Sequence, residues 1–395
     1  MDKNEEIKKP NKKVEKNYNN EKETKRLWQF AFLLCFVVLG LTLIIPLIAT
    51  MVIYEMVFGT RCDKLRKNIE PDYYPDLQQE KSCFKSRRNN INGAFYYCNN
   101  VEKNNTVVVV SHGIGCCMNG YLNRINYFAQ KGYYVYGFDM TGVSESEGRN
   151  INGLQQCAVD LQHAIDHVKA TAKYADMPLV VYGHSWSGYG SALMLNRIAP
   201  DKIVALATLS GFNNSWDIIY MHASRYVGKM IILAKPFVTF YQFLKFGRYA
   251  YQSGISGINK YGKDVLVGHS DDDPTVTYDI SIHAQRAKCT NPNARFVLYE
   301  GRGHTLSRPI ADEKQICDDC NGKILVLANN RNVNLFQYAV NMHYEWSDIE
   351  KIYSIDEEFM DGINDFFQEV LAKEKTKSVA DEKIKNATDE KTKNA

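Results

Sequence analysis

The chain has 395 residues, a net charge of +3 and 45% hydrophobic residues, so it is long enough for one large domain or two ordinary ones with a sizeable core. So weak a net charge, without an arginine-rich or base-stacking segment, excludes nucleic acid as an expected partner. The composition therefore favours a packed globular protein.

Both ends of the chain are polar and rich in lysine. Residues 1–26 and the tail 374–395, in which DEKIKNAT is followed by DEKTKNA, contain few apolar side chains. Segments of this composition cannot bury enough apolar surface to fold alone, so we expect both ends to be disordered.

An apolar segment, residues 27–58, follows the polar N-terminus. No charged residue occurs between Arg26 and Glu55, which is long enough for a helix that crosses a bilayer. Its length and its distance from the N-terminus differ from the short core of a cleaved signal peptide, so we expect a single-pass transmembrane anchor.

Nine lysines and arginines precede the apolar segment and five follow it up to Lys81. The positive-inside rule therefore favours a cytoplasmic N-terminus and an extracytoplasmic main domain, with the reverse orientation as the alternative.

Apolar runs and helical patterns alternate after the anchor. Six continuous runs are typical of buried parallel strands: 106–111, 133–139, 179–182, 203–210, 265–267 and 296–299. Helical patterns occur between them at 121–130, 154–170 and 187–198. This alternation predicts an α/β fold over residues 80–373, with a mostly parallel sheet and helices on both faces. We expect the last helix to begin at a capping box of Ser354 and Glu357.

One interval, at about residues 213–262, breaks this alternation, because roughly fifty residues separate two strands that a short loop would normally connect. We interpret the insertion as a helical cap. Between Ile218 and Lys263 it contains seven basic residues and no acid, interleaved with large apolar side chains. This pattern suits an anionic membrane surface or an acyl substrate with a polar head group. An equally simple alternative is that the apolar side packs on the sheet and the lysines face solvent.

The run at 179–182 leads into Gly183-His-Ser-Trp-Ser-Gly188 and then into a helical pattern. This has the form of a nucleophile elbow, in which a serine stands at the tip of a strained turn above the sheet. We predict Ser185 as the nucleophile. Ser187 occupies the position of the usual final glycine and is small enough for strand and helix to approach.

Two later segments supply the partners that a serine nucleophile needs, in the order expected after an elbow. A strand after the cap ends at Asp271, Asp272 and Asp273, and the glycine-flanked His304 follows the next strand. Imidazole can take the proton of the serine and return one to the leaving group, while a carboxylate holds its tautomer. We predict His304 as the base and Asp273, which precedes Pro-Thr-Val, as the acid. Asp271 and Asp272 remain alternatives.

A tetrahedral intermediate also needs amide donors for its oxyanion. One comes from the residue after the nucleophile and one from the loop after an earlier strand. We therefore predict the backbone N–H groups of Trp186 and Ile114, the latter directly after the His112-Gly113 turn. We interpret His112 as a structural hydrogen-bonding residue.

Five segments together, SHGIG, FDMTGVSESEG, GHSWSGYG, HSDDDPTV and GRGH, resemble the serine aminopeptidase and monoacylglycerol lipase-like group of α/β-hydrolases, in a membrane-anchored form. The resemblance covers roughly residues 105–305. It implies the α/β-hydrolase fold and hydrolysis of esters or amides without a metal. It also implies that Ser185, Asp273 and His304 form the catalytic triad.

With the anchor and the cap, these features predict a serine hydrolase that cleaves a carboxylic ester of lipid or acylglycerol type through an acyl-enzyme. A serine aminopeptidase-like enzyme is an alternative, although it would need an acidic pocket for the substrate amine. A catalytically inactive, membrane-anchored binding module is another, which the intact set of candidate residues disfavours. No cofactor is expected, because Cys317 and Cys320 form at most half of a zinc site. The oligomeric state stays open.

Overall fold

The computed structural model describes residues 12–62, 69–316, 318 and 348–393, with the backbone alone at 12–19 and 378–393. Cys317 and Cys320 lie outside the described residues. The chain divides into two compact units, Met1–Ile53 and Tyr54–Ala395.

The apolar segment is helical but is interrupted once. Helix α1 (Lys12–Leu39) is followed by a π-helical turn (Gly40–Ile44) and by α2 (Ile45–Phe58). Pro46 accounts for the interruption, because it has no N–H for the carbonyl group one turn earlier. By length and composition, residues Asn20–Phe58 are a candidate membrane span, a test that a signal sequence near the N-terminus also passes.

The described parts of the polar ends, residues 12–26 and 374–393, have a helical backbone. Helix α1 begins at Lys12, and the last helix of the chain extends from Glu357 to Lys393, through most of the tail. Both segments are rich in lysine and glutamate, which are good helix formers, and each adjoins an apolar helical segment that provides the costly first turn. Low hydrophobicity therefore did not prevent helix formation.

Eight of the described strands form one sheet, and a two-stranded hairpin lies between the first two of them in sequence. The sheet strands are β1 (Leu77–Lys81), β4 (Gly93–Cys98), β5 (Val107–Ser111), β6 (Tyr134–Phe138), β7 (Leu179–His184), β8 (Ala205–Leu209), β9 (Val265–Ser270) and β10 (Ala294–Tyr299), and the hairpin is β2 (Phe84–Ser86) and β3 (Asn89–Ile91). The order in the sheet is β1-β4-β6-β5-β7-β8-β9-β10. Within this sheet, as far as the structure describes the chain, only the pairings of β4 with β1 and with β6 are antiparallel. The prediction of a mostly parallel sheet is confirmed.

Helices cover both faces of this sheet, as the continuous apolar strands require. Alternate residues of β5 enter different cores. Val107 and Val109 pack in a cluster with α4 (Gln156–Ala170) and α5 (Trp186–Met194). Val108 and Val110 pack in a second cluster with α3 (Leu122–Gln130) and the first turns of the last helix. The parallel strands therefore end at one sheet edge between two helical layers.

The insertion after β8 forms three helices. They are α6 (Ser215–Val227), α7 (Lys235–Phe246) and α8 (Gly254–Tyr261), joined by short 3-10 turns. Helix α8 packs closely on α5, since a Cβ atom at Gly257 would lie 1.9 Å from the carbonyl oxygen of Ala192. We call α6 and α7, with the turns that follow each of them, the cap.

The predicted capping box of the last helix is wrong. The short helix α9 (Ile349–Ile352) comes first, and the hydroxyl of Ser354 donates to the carbonyl of Lys351 at its end. The N-terminus of the last helix, α10 (Glu357–Lys393), is capped by Asp356 instead, whose Oδ1 accepts from the N–H of Phe359 at 3.0 Å. An aspartate nearer to the first turn therefore replaces the predicted serine.

Candidate active site

The turn between β7 and α5 has the backbone geometry of a nucleophile elbow. Ser185 has φ 62° and ψ −118°, a backbone conformation that residues other than glycine rarely adopt. Its N–H donates to the carbonyl of Leu209 in β8 at 2.8 Å. The neighbouring strand thus holds the strained residue in place, with its hydroxyl above the ends of the parallel strands.

Ser187, at the position of the usual glycine, contributes to this turn. Its side chain is fully buried, and its Oγ donates to the carbonyl of Ser111 at 2.5 Å and accepts from the N–H of His184 at 3.1 Å. The close approach that requires glycine occurs one residue later, because a Cβ atom at Gly188 would lie 2.5 Å from the carbonyl oxygen of Leu209. The hydroxyl of Ser187 therefore joins the elbow to the end of β5.

Ser185, His304 and Asp273 come together at this edge of the sheet. His304 Nε2 lies 2.8 Å from Ser185 Oγ. On the other side of the ring, Nδ1 lies 2.8 Å from Asp273 Oδ2 and 3.0 Å from Oδ1. The carboxylate is buried, and its Oδ1 also accepts the N–H groups of Thr275 and Val276 at 2.9 Å each. The three side chains form one continuous hydrogen-bonded row.

The charges of this row are coupled. Burial lowers the pKa of His304, but the negative charge of Asp273 and its hydrogen bond outweigh burial, and the pKa lies above its ordinary value. Burial raises the pKa of Asp273, but the charge of His304 and its hydrogen bond reverse this, and the pKa lies below its usual value. Asp273 is therefore a carboxylate at neutral pH, beside an imidazole that gains a proton more readily than a free one.

The other two acids of the Asp271-Asp272-Asp273 turn bind the loop that carries the histidine. Both are exposed. Asp271 Oδ1 accepts from the N–H of Gly301 at 2.9 Å, and Asp272 Oδ1 accepts from the N–H of Gly303 at 2.8 Å. Neither contacts the imidazole in the described hydrogen bonds, so of the three candidates only Asp273 reaches His304.

The predicted oxyanion donors flank Ser185. Trp186 is the first residue of α5, where a backbone N–H has no carbonyl one turn back in the helix. On the other side, a Cβ atom at Gly113 would lie 3.3 Å from Ser185 Cβ, so the loop that leads to Ile114 passes directly beside the serine. His112 is buried, and its Nε2 accepts from the N–H of Met140 at 3.1 Å, as expected of a structural residue.

Tyr121 and His184 form a second hydrogen-bonded row that the sequence did not indicate. The hydroxyl of Tyr121 accepts from the N–H of Gly113 at 2.9 Å and lies 2.7 Å from His184 Nδ1. His184 Nε2 lies 2.9 Å from the carbonyl oxygen of His304. Because a carbonyl can only accept, Nε2 carries the proton and Nδ1 accepts from Tyr121. The row connects the loop of Ile114, the elbow and the catalytic histidine candidate.

His184 itself is neutral. Burial, followed by the nearby charge of His304, lowers its pKa well below the ordinary value. The neutral ring can keep one donor and one acceptor nitrogen, which the row from Gly113 to His304 requires. The elbow pattern contains His184, but it gives no information about partners that lie 63 and 120 residues away.

Among the described residues, no cluster of three or more His, Cys, Asp or Glu side chains could hold a metal ion.

Comparison with known proteins gives one family match. Residues 102–242 match the model of the family described as serine aminopeptidase, S33. The matched range includes Ser185 and both predicted oxyanion donors, and it ends before Asp273 and His304. No curated protein matches the chain.

Solved structures with a similar fold are more distant in sequence. An esterase of Pyrococcus furiosus has 16% identity and a TM-score of 0.49, covering 65% of this chain and 94% of that chain. The ferulic acid complex of Est1E from Butyrivibrio proteoclasticus has 20% identity and a TM-score of 0.43, covering 59% of this chain and 95% of that one. An acylaminoacyl peptidase of Pyrococcus horikoshii has 17% identity and a TM-score of 0.45, covering 58% of this chain and 38% of that one.

The family match includes the elbow, and the sheet supplies the parallel strand ends on which an elbow serine is presented. The chain therefore has the α/β-hydrolase fold, and its residues 102–242 are similar to the serine aminopeptidase family.

Proposed function

We propose that this hydrolase cleaves carboxylic esters of lipid or acylglycerol type through an acyl-enzyme intermediate on Ser185. The observation that carries the proposal is the row from Ser185 Oγ through the two nitrogens of His304 to Asp273, with distances of 2.8 Å on each side of the ring. A serine is a weak nucleophile until a base at hydrogen-bond distance can take its proton.

Each residue then has a defined role. Ser185 Oγ attacks the ester carbonyl carbon while His304 Nε2 takes its proton, and Asp273 stabilises the resulting imidazolium. The N–H groups of Trp186 and Ile114 donate to the oxyanion. Collapse of the intermediate breaks the bond to the alcohol, which receives the proton from His304. Water, activated in the same way, releases the acid.

The lipid part of the proposal is supported by the apolar N-terminal helices and by the cap. A membrane anchor would keep the enzyme where acyl lipids are concentrated. The cap contains no acid between Ile218 and Lys263, which disfavours the recognition of a substrate amine by an aminopeptidase-like enzyme. We further propose that the anchor crosses the membrane once, with the N-terminus in the cytoplasm and the hydrolase unit outside.

The nucleophile can be tested by fluorophosphonate labelling of the full chain in detergent. We expect the wild type to be labelled and Ser185→Ala and His304→Ala to lose labelling, because the probe reacts only with an activated serine. The cap variants Ser224→Ala and His222→Ala serve as controls and should keep it. A folded wild type that is not labelled would favour the inactive binding module.

The role of Asp273 can be tested through the pH dependence of kcat/KM for a soluble ester. Activity needs neutral His304, so it should fall as the pH decreases through the raised pKa of His304. Asp273→Asn removes the charge that raises this pKa, so the acid limb should move to lower pH, and kcat should fall by on the order of 10³–10⁴-fold. In the control Asp272→Asn the limb should stay in place. If the acid limb of the kcat/KM profile stays in place in Asp273→Asn, the assignment of Asp273 as the acid of the triad is contradicted.

Tyr121 is expected to act as a positioning residue. Tyr121→Phe removes the acceptor for Gly113 N–H and the donor to His184, so kcat should fall by about thirtyfold, the equivalent of two hydrogen bonds of about 1 kcal/mol each. KM should stay near the wild-type value, because the ring is buried. Tyr127→Phe is the matched control, since Tyr127 lies on α3, which begins directly after Tyr121, and its hydroxyl donates to Asp361. Equal losses of kcat in both variants would indicate a general structural defect instead.

The proposed orientation can be tested by protease treatment of intact cells that express the full chain with a tag at either end. Nine basic residues before the apolar segment, against five after it, should keep the N-terminus inside. The protease should then remove the C-terminal tag and spare the N-terminal one. The reverse result would place the hydrolase unit in the cytoplasm.

A further inference from the structure

The outer surface of the cap exposes large apolar side chains. Outside the N-terminal helices, most of the exposed large hydrophobic residues among the described side chains belong to the cap. Tyr226, Met230 and Leu233 are 75%, 69% and 63% exposed. We call the surface formed by Tyr226, Val227, Met230, Leu233, Leu244 and Tyr251 the cap face. Single exposed hydrophobic residues are common, but several large ones within one short segment indicate an interaction surface.

The cap face is not the side of the cap that packs on the hydrolase. Trp216, Ile218, Val238 and Phe246 point inward and are buried in the main core. A cap that only covered a sheet would need one apolar side, with polar residues on the other. Helix α7 is apolar on both sides, because Phe240, Phe243 and Leu244 are exposed while Val238 and Phe246 are buried. Its outer side is therefore suited to contact with a second apolar environment.

Each helix of the insertion after β8 is too short to cross a bilayer. Residues Ser215–Tyr261 are apolar enough to count as a candidate span, but they form separate helices of 13, 12 and 8 residues. A spanning helix needs about 20 residues. An apolar face on short helices is instead typical of a segment that lies in the membrane interface.

Charge favours an anionic membrane surface. The exposed residues Arg225, Lys229, Lys235 and Arg248 lie on the cap helices or on the turns between them, and no acid occurs between Ile218 and Lys263. Basic residues beside an apolar face bind the head groups of anionic lipids while the apolar side chains enter the acyl boundary.

The cap is also fixed to the last turns of helix α2. Glu55 forms an ion pair with Lys245 of α7 and accepts from the hydroxyl of Tyr241 at 2.8 Å. The ring of Tyr54 packs edge-on against that of Tyr241 at 5.4 Å. These contacts hold α7 against Tyr54 and Glu55 of α2.

We propose that the cap face binds the surface of an anionic lipid leaflet, as a membrane contact in addition to the proposed anchor. The occupant is the bilayer itself, because the exposed apolar side chains and the basic residues of the cap match the acyl boundary and the head groups of such a surface. This contact does not depend on ester cleavage and can be measured without it.

The test uses the full chain in vesicles of phosphatidylcholine and phosphatidylglycerol, with p-benzoylphenylalanine in place of Leu233. Illumination should cross-link this position to lipid. The same photoreactive residue in place of Leu298, which is 43% exposed on the edge strand β10, is the matched control and should give little lipid adduct. Equal adducts at both positions, or none at position 233, would overturn the proposal. A cross-linked protein dimer from position 233 would assign the cap face to a second copy of the chain and would also overturn it.

A charge variant distinguishes specific docking from general proximity. Lys229→Gln should lower the lipid adduct at position 233 by up to about fivefold, the factor that one basic residue contributes at an anionic surface. Lys173→Gln, outside the cap, should leave it unchanged. Both variants should keep fluorophosphonate labelling, which separates a lost membrane contact from a misfolded chain and from a failure of the proposed function. If the yield of lipid adduct at position 233 stays the same both in Lys229→Gln and in vesicles without phosphatidylglycerol, the cap face does not dock through its basic residues and the proposal is contradicted.

Discussion

The backbone of Ser185 has a positive φ, and a residue of this kind costs on the order of 1–3 kcal/mol unless its surroundings hold it. Two neighbouring strands hold it here. Its N–H is bonded to Leu209 of β8, and the hydroxyl of Ser187 connects the turn to the carbonyl of Ser111 at the end of β5. The support of this strained residue therefore depends on the strand order of the sheet, in which β7 lies between β5 and β8. Without that order the serine would not be presented to His304.

Two rows of hydrogen bonds meet at the His304 segment and fix it in different ways. Asp273 binds the imidazole ring, whereas His184 donates to the backbone carbonyl of the same residue. The second row continues through Tyr121 to Gly113, so the loop of the predicted oxyanion donor and the histidine loop share one neutral chain of donors and acceptors. A displacement of either loop would leave a buried polar group without its partner, which is costly.

The sequence predicted the fold class because buried parallel strands are continuous apolar runs and their order follows from the alternation with helices. It also indicated Ser185, Asp273 and His304, because each follows the end of a strand and parallel strands end at one edge. It could not indicate Tyr121, since a hydrogen bond to His184 depends on side-chain positions 63 residues apart. Local patterns also failed where two candidates competed, as at the start of α10, where Asp356 lies closer to the first free N–H groups than Ser354 does.

Helix α7 is held from two directions, and this explains how one side of it can remain apolar and exposed. On the inner side, Gln155 donates to Ser215, which donates to Gln242 of α7, at 3.0 and 2.8 Å. On the other side, Lys245 is bound to Glu55. Directional polar contacts of this kind fix an orientation more strongly than apolar packing, which tolerates sliding. With these contacts in place, α7 cannot rotate to bury Leu244 against the sheet without leaving Gln242 or Lys245 unpaired. The polar contacts of the cap therefore keep its apolar surface directed outward.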